Sequence, residues 1–167
     1  MRTQVAVVLL LLLGGTGCDK AGRDPVSTTG KSERVTMRLL GVRAPGHVLL
    51  QVASLEVTAD GQPVSVALEP GQVDLGAADR AWPIATFALP EGAQELALTL
   101  GFQPDGSLER AGAPEPLDLS GPPIAWESSA TLLLERKQVL LEVDVERSLA
   151  EGEGQPAYFL PEFVVRY

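Results

Sequence analysis

One histidine, one cysteine and 22 acidic residues set the range of chemistry open to this chain of 167 residues. His47 is the sole imidazole, which excludes multi-histidine zinc centres. A Ser-His-Asp triad would have to use it, yet no Gly-x-Ser-x-Gly segment presents a nucleophile. Beside Pro45 and Gly46, His47 reads as a solvated turn residue. Glu142, Asp144 and Glu146 recur at every second position of "LEVDVE" and so share one strand face. Such a row can exchange protons with a substrate, or bind Ca2+ or a sugar hydroxyl. On an exposed face the same row keeps the surface wet. "ADGQ" at Asp60 and "PDGS" at Asp105 look like pieces of calcium loops but lack the ligand series and distal glutamate of an EF-hand. Both read as turns. Trp82 and Trp126, with Tyr158, could form aromatic platforms for carbohydrate, or sit half-buried at the ends of the fold. The candidate ligand contacts are therefore Trp82, Asp105, Trp126 and Asp144, with no catalytic residue, metal or cofactor assigned.

Cys18 suggests an address. Arg2 precedes a nine-residue apolar run at 5–13, and Gly14, Gly15, Thr16 and Gly17 are small. Nine helical residues span about 14 Å, half of the ~30 Å hydrocarbon core, so the segment is too short for a permanent span. It reads as a cleaved export signal. The segment resembles a bacterial lipobox, which implies that Cys18 becomes the new N-terminus and carries diacylglycerol on its sulfur. Gly15 departs from the aliphatic residue usual three positions before the cysteine. The alternatives are a plain secretory signal with an incidental cysteine, and a buried thiol. With Cys18 lipidated, no thiol nucleophile remains.

Cleavage before Cys18 leaves 150 residues (167 − 17), carrying 12 Lys and Arg against 22 Asp and Glu once Arg2 is gone. One domain suits that length. A lone cysteine allows no intramolecular disulfide, so an apolar core must hold the domain together. The acidic balance and the lack of a basic cluster exclude nucleic acid as a partner. Residues 19–33 hold almost no bulky apolar side chain and cannot offset their ordering entropy. The organisation expected is a signal at 1–17, a lipidated cysteine and tether at 18–33, and a domain at 34–167.

Within that domain the apolar period is two. Leu96, Leu98, Leu100 and Phe102 alternate with Glu95, Ala97, Thr99 and Gly101, which a strand aligns on one face and a helix would scatter. Val139, Leu141, Val143 and Val145 repeat the pattern, and "ATLLLER" before them predicts a hairpin partner with Ala130, Leu132 and Leu134 inward. Val35, Met37 and Leu39 alternate. Val48, Leu50 and Val52 shift phase to Leu55 and Val57, which predicts a bulge near Ala53 and Ser54. Asp60-Gly61 predicts a tight turn into "VSVAL". Phe163, Val165 and Tyr167 share a side, with Pro161 marking an edge or a strand start. A turn of helix is expected around Ser148. The whole predicts an all-β fold, an antiparallel immunoglobulin-like β-sandwich of about 8 strands.

The order of these segments resembles a bacterial lipoprotein domain family of unknown function, with a predicted immunoglobulin-like or transthyretin-like β-sandwich. The similarity spans about Val35 to Val165. It is carried by "GVRAPG", "VASLEVTADG", "VDL" at 73–75, "ALPEGAQELALTLGF", "VLLEVDVERSL" and "YFLPEFVV". Arg43 stands where the family usually has an acidic residue before Ala-Pro. The resemblance implies a fold, not an activity. The function expected is a lipid-anchored, non-catalytic binding or structural module of the bacterial cell envelope, facing an envelope protein or glycan. The alternatives are a carbohydrate- or Ca2+-dependent adhesion module around Trp82, Asp105 and Trp126, and an enzyme with a carboxylate pair. The anchor is expected at the periplasmic face or in the outer membrane.

Overall fold

The computed structural model describes residues 33–151 and 155–167, so the leader, Cys18 and the tether to residue 32 lie outside the described residues. The chain opens with β1 (Arg34–Val42), the long β2 (His47–Ala59), and three short strands, β3 (Gln62–Pro63), β4 (Val66–Leu68) and β5 (Gln72–Asp74). β6 (Trp82–Ala88), β7 (Glu95–Phe102), β8 (Asp105–Arg110), β9 (Ala113–Asp118) and β10 (Ile124–Ser129) follow. The distal part comprises α1 (Ala130–Arg136), β11 (Gln138–Asp144), α2 (Val145–Ser148), β12 (Leu149–Ala150), β13 (Ala157–Phe159) and β14 (Glu162–Arg166).

These strands form an all-β sandwich. One sheet has five strands in the order β14-β11-β1-β6-β4. The other has nine, running β10-β7-β2-β8-β9-β13-β12, with β3 and β5 also paired to β2. Period-two side chains meet between them in one core, Val35, Met37, Leu39 and Leu141 from the first sheet against Leu55, Val57, Leu98 and Leu100 from the second. Every inward position read from the β7 alternation up to Leu100 is buried, and Phe102 is half-buried against Phe159.

The bulge falls where the phase of β2 changes: pairing with β7 shifts register between Val52 and Ser54. Asp60 and Gly61 take φ of 48° and 78°, the double positive φ of a type I′ hairpin, closing β2 onto β3 with Ala59 opposite Gln62. β14 is an edge strand directly after Pro161, with Phe163 and Val165 turned inward. Ser148 ends α2, a single turn.

Three expectations need correction. The strand read through "QVLLEVDVE" stops at Asp144, and Val145 and Glu146 open α2, so the acidic row on one strand face ends with Glu142 and Asp144. "ATLLLER" is not a strand but α1, and β11 has no hairpin partner there. Ala, Leu, Glu and Arg are strong helix formers, and three consecutive leucines satisfy either period in so short a run. Ala130 and Leu133 are buried with Leu134 packed on the core, an i, i+3, i+4 stripe. Lys137, at φ 56°, ends the helix by donating its N–H to Leu133 O at 2.7 Å. Nor are the sheets wholly antiparallel. β11 runs parallel to β1, with Leu39 opposite Leu141, and β13 runs parallel to β9. A parallel neighbour needs a long crossover, and here β2 to β10, which include most strands of the second sheet, lie between β1 and β11 in the chain.

Candidate functional site

The five-stranded sheet ends in a cluster of charge. Arg43 leaves β1 with a left-handed backbone, φ 55°, and its guanidinium ion-pairs with Asp144 at the end of β11. Asp144 also caps α2, accepting the Arg147 N–H at 3.3 Å, and its side chain is only 12% exposed. Arg147 reaches Glu162 of β14 at 3.6 Å. One step along β11, Glu142 accepts a two-pronged hydrogen bond from Arg166, Nε at 2.6 Å and Nη2 at 3.1 Å. That bond holds the Glu142 carboxyl below its usual range and raises the guanidinium further above its own. Val42, Phe163 and Val164 complete the lining of a cleft of about 270 Å³.

Beneath it, the buried Ser148 hydroxyl donates to Asp144 O at 2.6 Å and accepts the Glu162 N–H at 2.9 Å. β14 is thereby tied to the end of β11. The cleft alternates positive and negative groups. It can recognise a polar or charged partner, and each of the carboxylates Glu142 and Asp144 already has an arginine.

Of the four candidate ligand contacts, Asp144 alone lies in this cleft, beside Glu142 of the same acidic row and Arg43. Trp82 begins β6, half-buried, and donates Nε1–H to Asp74 O at 2.9 Å, with the Arg80 guanidinium 3.5 Å above its ring. Trp126 packs edge-on against Phe163, centroids 6.4 Å apart, and its Nε1 is buried with no partner among the described residues. Asp105 opens β8 opposite Asp118. The Asp118 carboxyl is lowered by hydrogen bonds from Ser120, the hydroxyl first and the backbone N–H second. No contact joins these four residues into one site. Among the described residues no group of three or more His, Cys, Asp or Glu could hold a metal ion.

A larger open groove of about 960 Å³ runs past Asp60, Glu95 and Glu127. Asp60 is committed there, taking the backbone N–H groups of Gln94 and Glu95 at 3.2 and 2.9 Å. It closes a loop.

Sequence reasoning passed over Asp74. Its Oδ1 accepts the backbone N–H of Val48 at 3.2 Å and of Gly76 at 2.8 Å, and its Oδ2 takes the His47 Nδ1–H at 2.7 Å. One carboxylate therefore pins the loop after β5 onto the start of β2. The "VDL" segment held this residue without any local sign of the role. The hydrogen bond that His47 donates to Asp74, then the charge of Asp74, raises the pKa of the exposed His47 above the ordinary imidazole value. A raised histidine adds stability that is fully present below its unfolded pKa and is lost as pH rises through the folded value. NMR titration is expected to place His47 above ~6.5. Asp74→Asn should remove that rise and, with it, the extra stability on the acid side. An unchanged His47 titration in the variant contradicts the pairing.

No family model, curated protein or solved structure matches this chain in the three comparisons.

Proposed function

We propose that this chain is a lipid-anchored, non-catalytic binding or structural module of the bacterial cell envelope, as expected for the lipoprotein domain family it resembles. The observation that carries the reading is the cleft beside β14. Its carboxylates and arginines neutralise one another in pairs, which suits recognition of a polar partner. The apolar run, the small residues and Cys18 supply the anchor, with residues 19–33 as the tether. Carbohydrate adhesion has less support. Arg80 covers a face of Trp82, and Trp126 packs against Phe163. A glycan array probed with and without Ca2+ is expected to give no binding.

Fractionation of producing cells tests the anchor. Wild-type protein should sediment with membranes, and Cys18→Ser should be released or keep its leader. A soluble, correctly cut wild-type protein sinks the proposal.

A further inference from the structure

We propose that β14 pairs antiparallel with the β14 of a second copy of this chain, making a two-fold dimer joined edge to edge. This inference rests on the edge strand and does not depend on the lipid. β14 is the last strand of the five-stranded sheet, paired with β11 on one side and, among the described residues, open on the other. Leu160 and Glu162 both send backbone N–H groups to Ser148, at 2.8 and 2.9 Å, on the side of β11. By strand alternation Val164 and Arg166 continue to face β11, which leaves the N–H and C=O of Phe163 and Val165 directed to the open edge.

The order of side chains is self-complementary about Val164. In an antiparallel pair centred on that residue, Val164 opposes Val164 of the second copy and Phe163 opposes Val165. Glu162 opposes Arg166 at both ends. Phe163 and Val165 point inward, so their meeting would extend the apolar core across the junction. Glu162, Val164 and Arg166 lie on the outer face, where Val164 is 54% exposed and the side chains of Glu162 and Arg166 are each 58% exposed. Opposite charges directly across a strand pair stabilise it, and like charges oppose it. Edge strands are usually guarded by charges that repel a second edge. The two charges here are each paired within the chain, Glu162 with Arg147 and Arg166 with Glu142, and across the junction each would face a further opposite charge rather than a like one. A two-fold interface requires such self-complementarity, since each residue must meet its partner twice.

Cysteine crosslinking tests the register. Across a pair whose backbone groups point away from each other, the two Cα atoms lie about 4.5 Å apart, within the ~4.4–6.8 Å of disulfides. The full-length chain carrying Cys18→Ser and Val164→Cys, oxidised in intact cells and after purification, should form a disulfide-linked dimer. Thr99→Cys in the same background, on the outer face of the other sheet, should not. Adding Glu162→Arg to the Val164→Cys chain places like charges at both ends and should lower crosslinking about tenfold. Arg166→Glu should do the same. Mixing those two chains restores both ion pairs and should restore crosslinking, now between unlike copies. Far-UV circular dichroism must match the parent, and only a small loss in melting temperature is expected, since each charge variant sets a like charge beside its former intrachain partner, Arg147 or Glu142. The proposal is overturned if residue 164 does not crosslink, if residues 164 and 99 crosslink equally, or if the mixture shows no recovery. A crosslink in cells from residue 164 to a different protein, rather than to a second copy, also overturns it.

Discussion

Gly41→Ala is expected to cost about 3 kcal/mol or more in chemical denaturation, the upper end of what overpacking does in a filled core. Gly41 lies near the end of β1, facing inward against the segment that follows β5. A Cβ built there would lie 2.0 Å from Leu75 O and 2.7 Å from Leu75 C. The obstacle is backbone, so no side-chain rotation relieves it. Nor can Leu75 retreat cheaply. Its side chain is 1% exposed, its N–H is bound to Val48 O at 2.9 Å, and Asp74 fixes the preceding residue to Val48 and Gly76. The same layer repeats the arrangement at Gly76, where a Cβ would meet Gly46 O at 2.0 Å. Three backbone segments touch here because glycine lets them. A loss below about 1 kcal/mol, well under the range for such overpacking, would mean that the contact between β1 and the Leu75 loop is not as described.

Leu98→Ala and Leu141→Ala are each expected to cost ~2–5 kcal/mol, the loss for truncating a fully buried leucine. They probe opposite walls of the same core, Leu98 in β7 at 1% exposed and Leu141 in β11 at 0%. Leu98 lies opposite Val57 and Trp126, and Leu141 lies between Leu39 and Val165. Both strands are held on each side, β7 between β10 and β2 and β11 between β14 and β1. Thr99→Ala, one residue away on the outer face, should change stability by about 0.5 kcal/mol or less, as surface substitutions do. Equal losses at Leu98 and Thr99 would remove the period-two assignment and the sandwich built on it.

Period and punctuation made much of this fold legible. Leu96, Leu98 and Leu100 could face one way only as a strand, the phase change after Val52 predicted a bulge that is present, and Asp60-Gly61 sits at φ values open to those residues. Pro161 marked an edge because it has no N–H to give a ladder. What stayed hidden depends on distance along the chain. The parallel match of Leu39 with Leu141 leaves no trace in either segment, since both would bury the same face against an antiparallel neighbour. In "ATLLLER" the apolar residues are contiguous, so the period was silent and helix propensity decided. The cleft was hidden more deeply. Arg43, Asp144, Arg147 and Glu162 come from four elements or turns, and a charge in a sequence does not name its partner. Arg43 stood out in the sequence only as a charge before Ala-Pro, and the structure pairs it with Asp144. Asp74 was invisible because its three hydrogen-bond donors come from positions up to 27 residues away.

The central claim, that this sandwich works at the end of a lipid anchor, is tested most directly by mass spectrometry of the mature N-terminus. Protein taken from the membranes of producing cells would be digested and its first peptide sequenced. The account predicts a chain that begins at Cys18, with a diacylglyceryl group on its sulfur and residues 1–17 removed. A first peptide that begins elsewhere, or one that contains Cys18 with a free thiol, would contradict it.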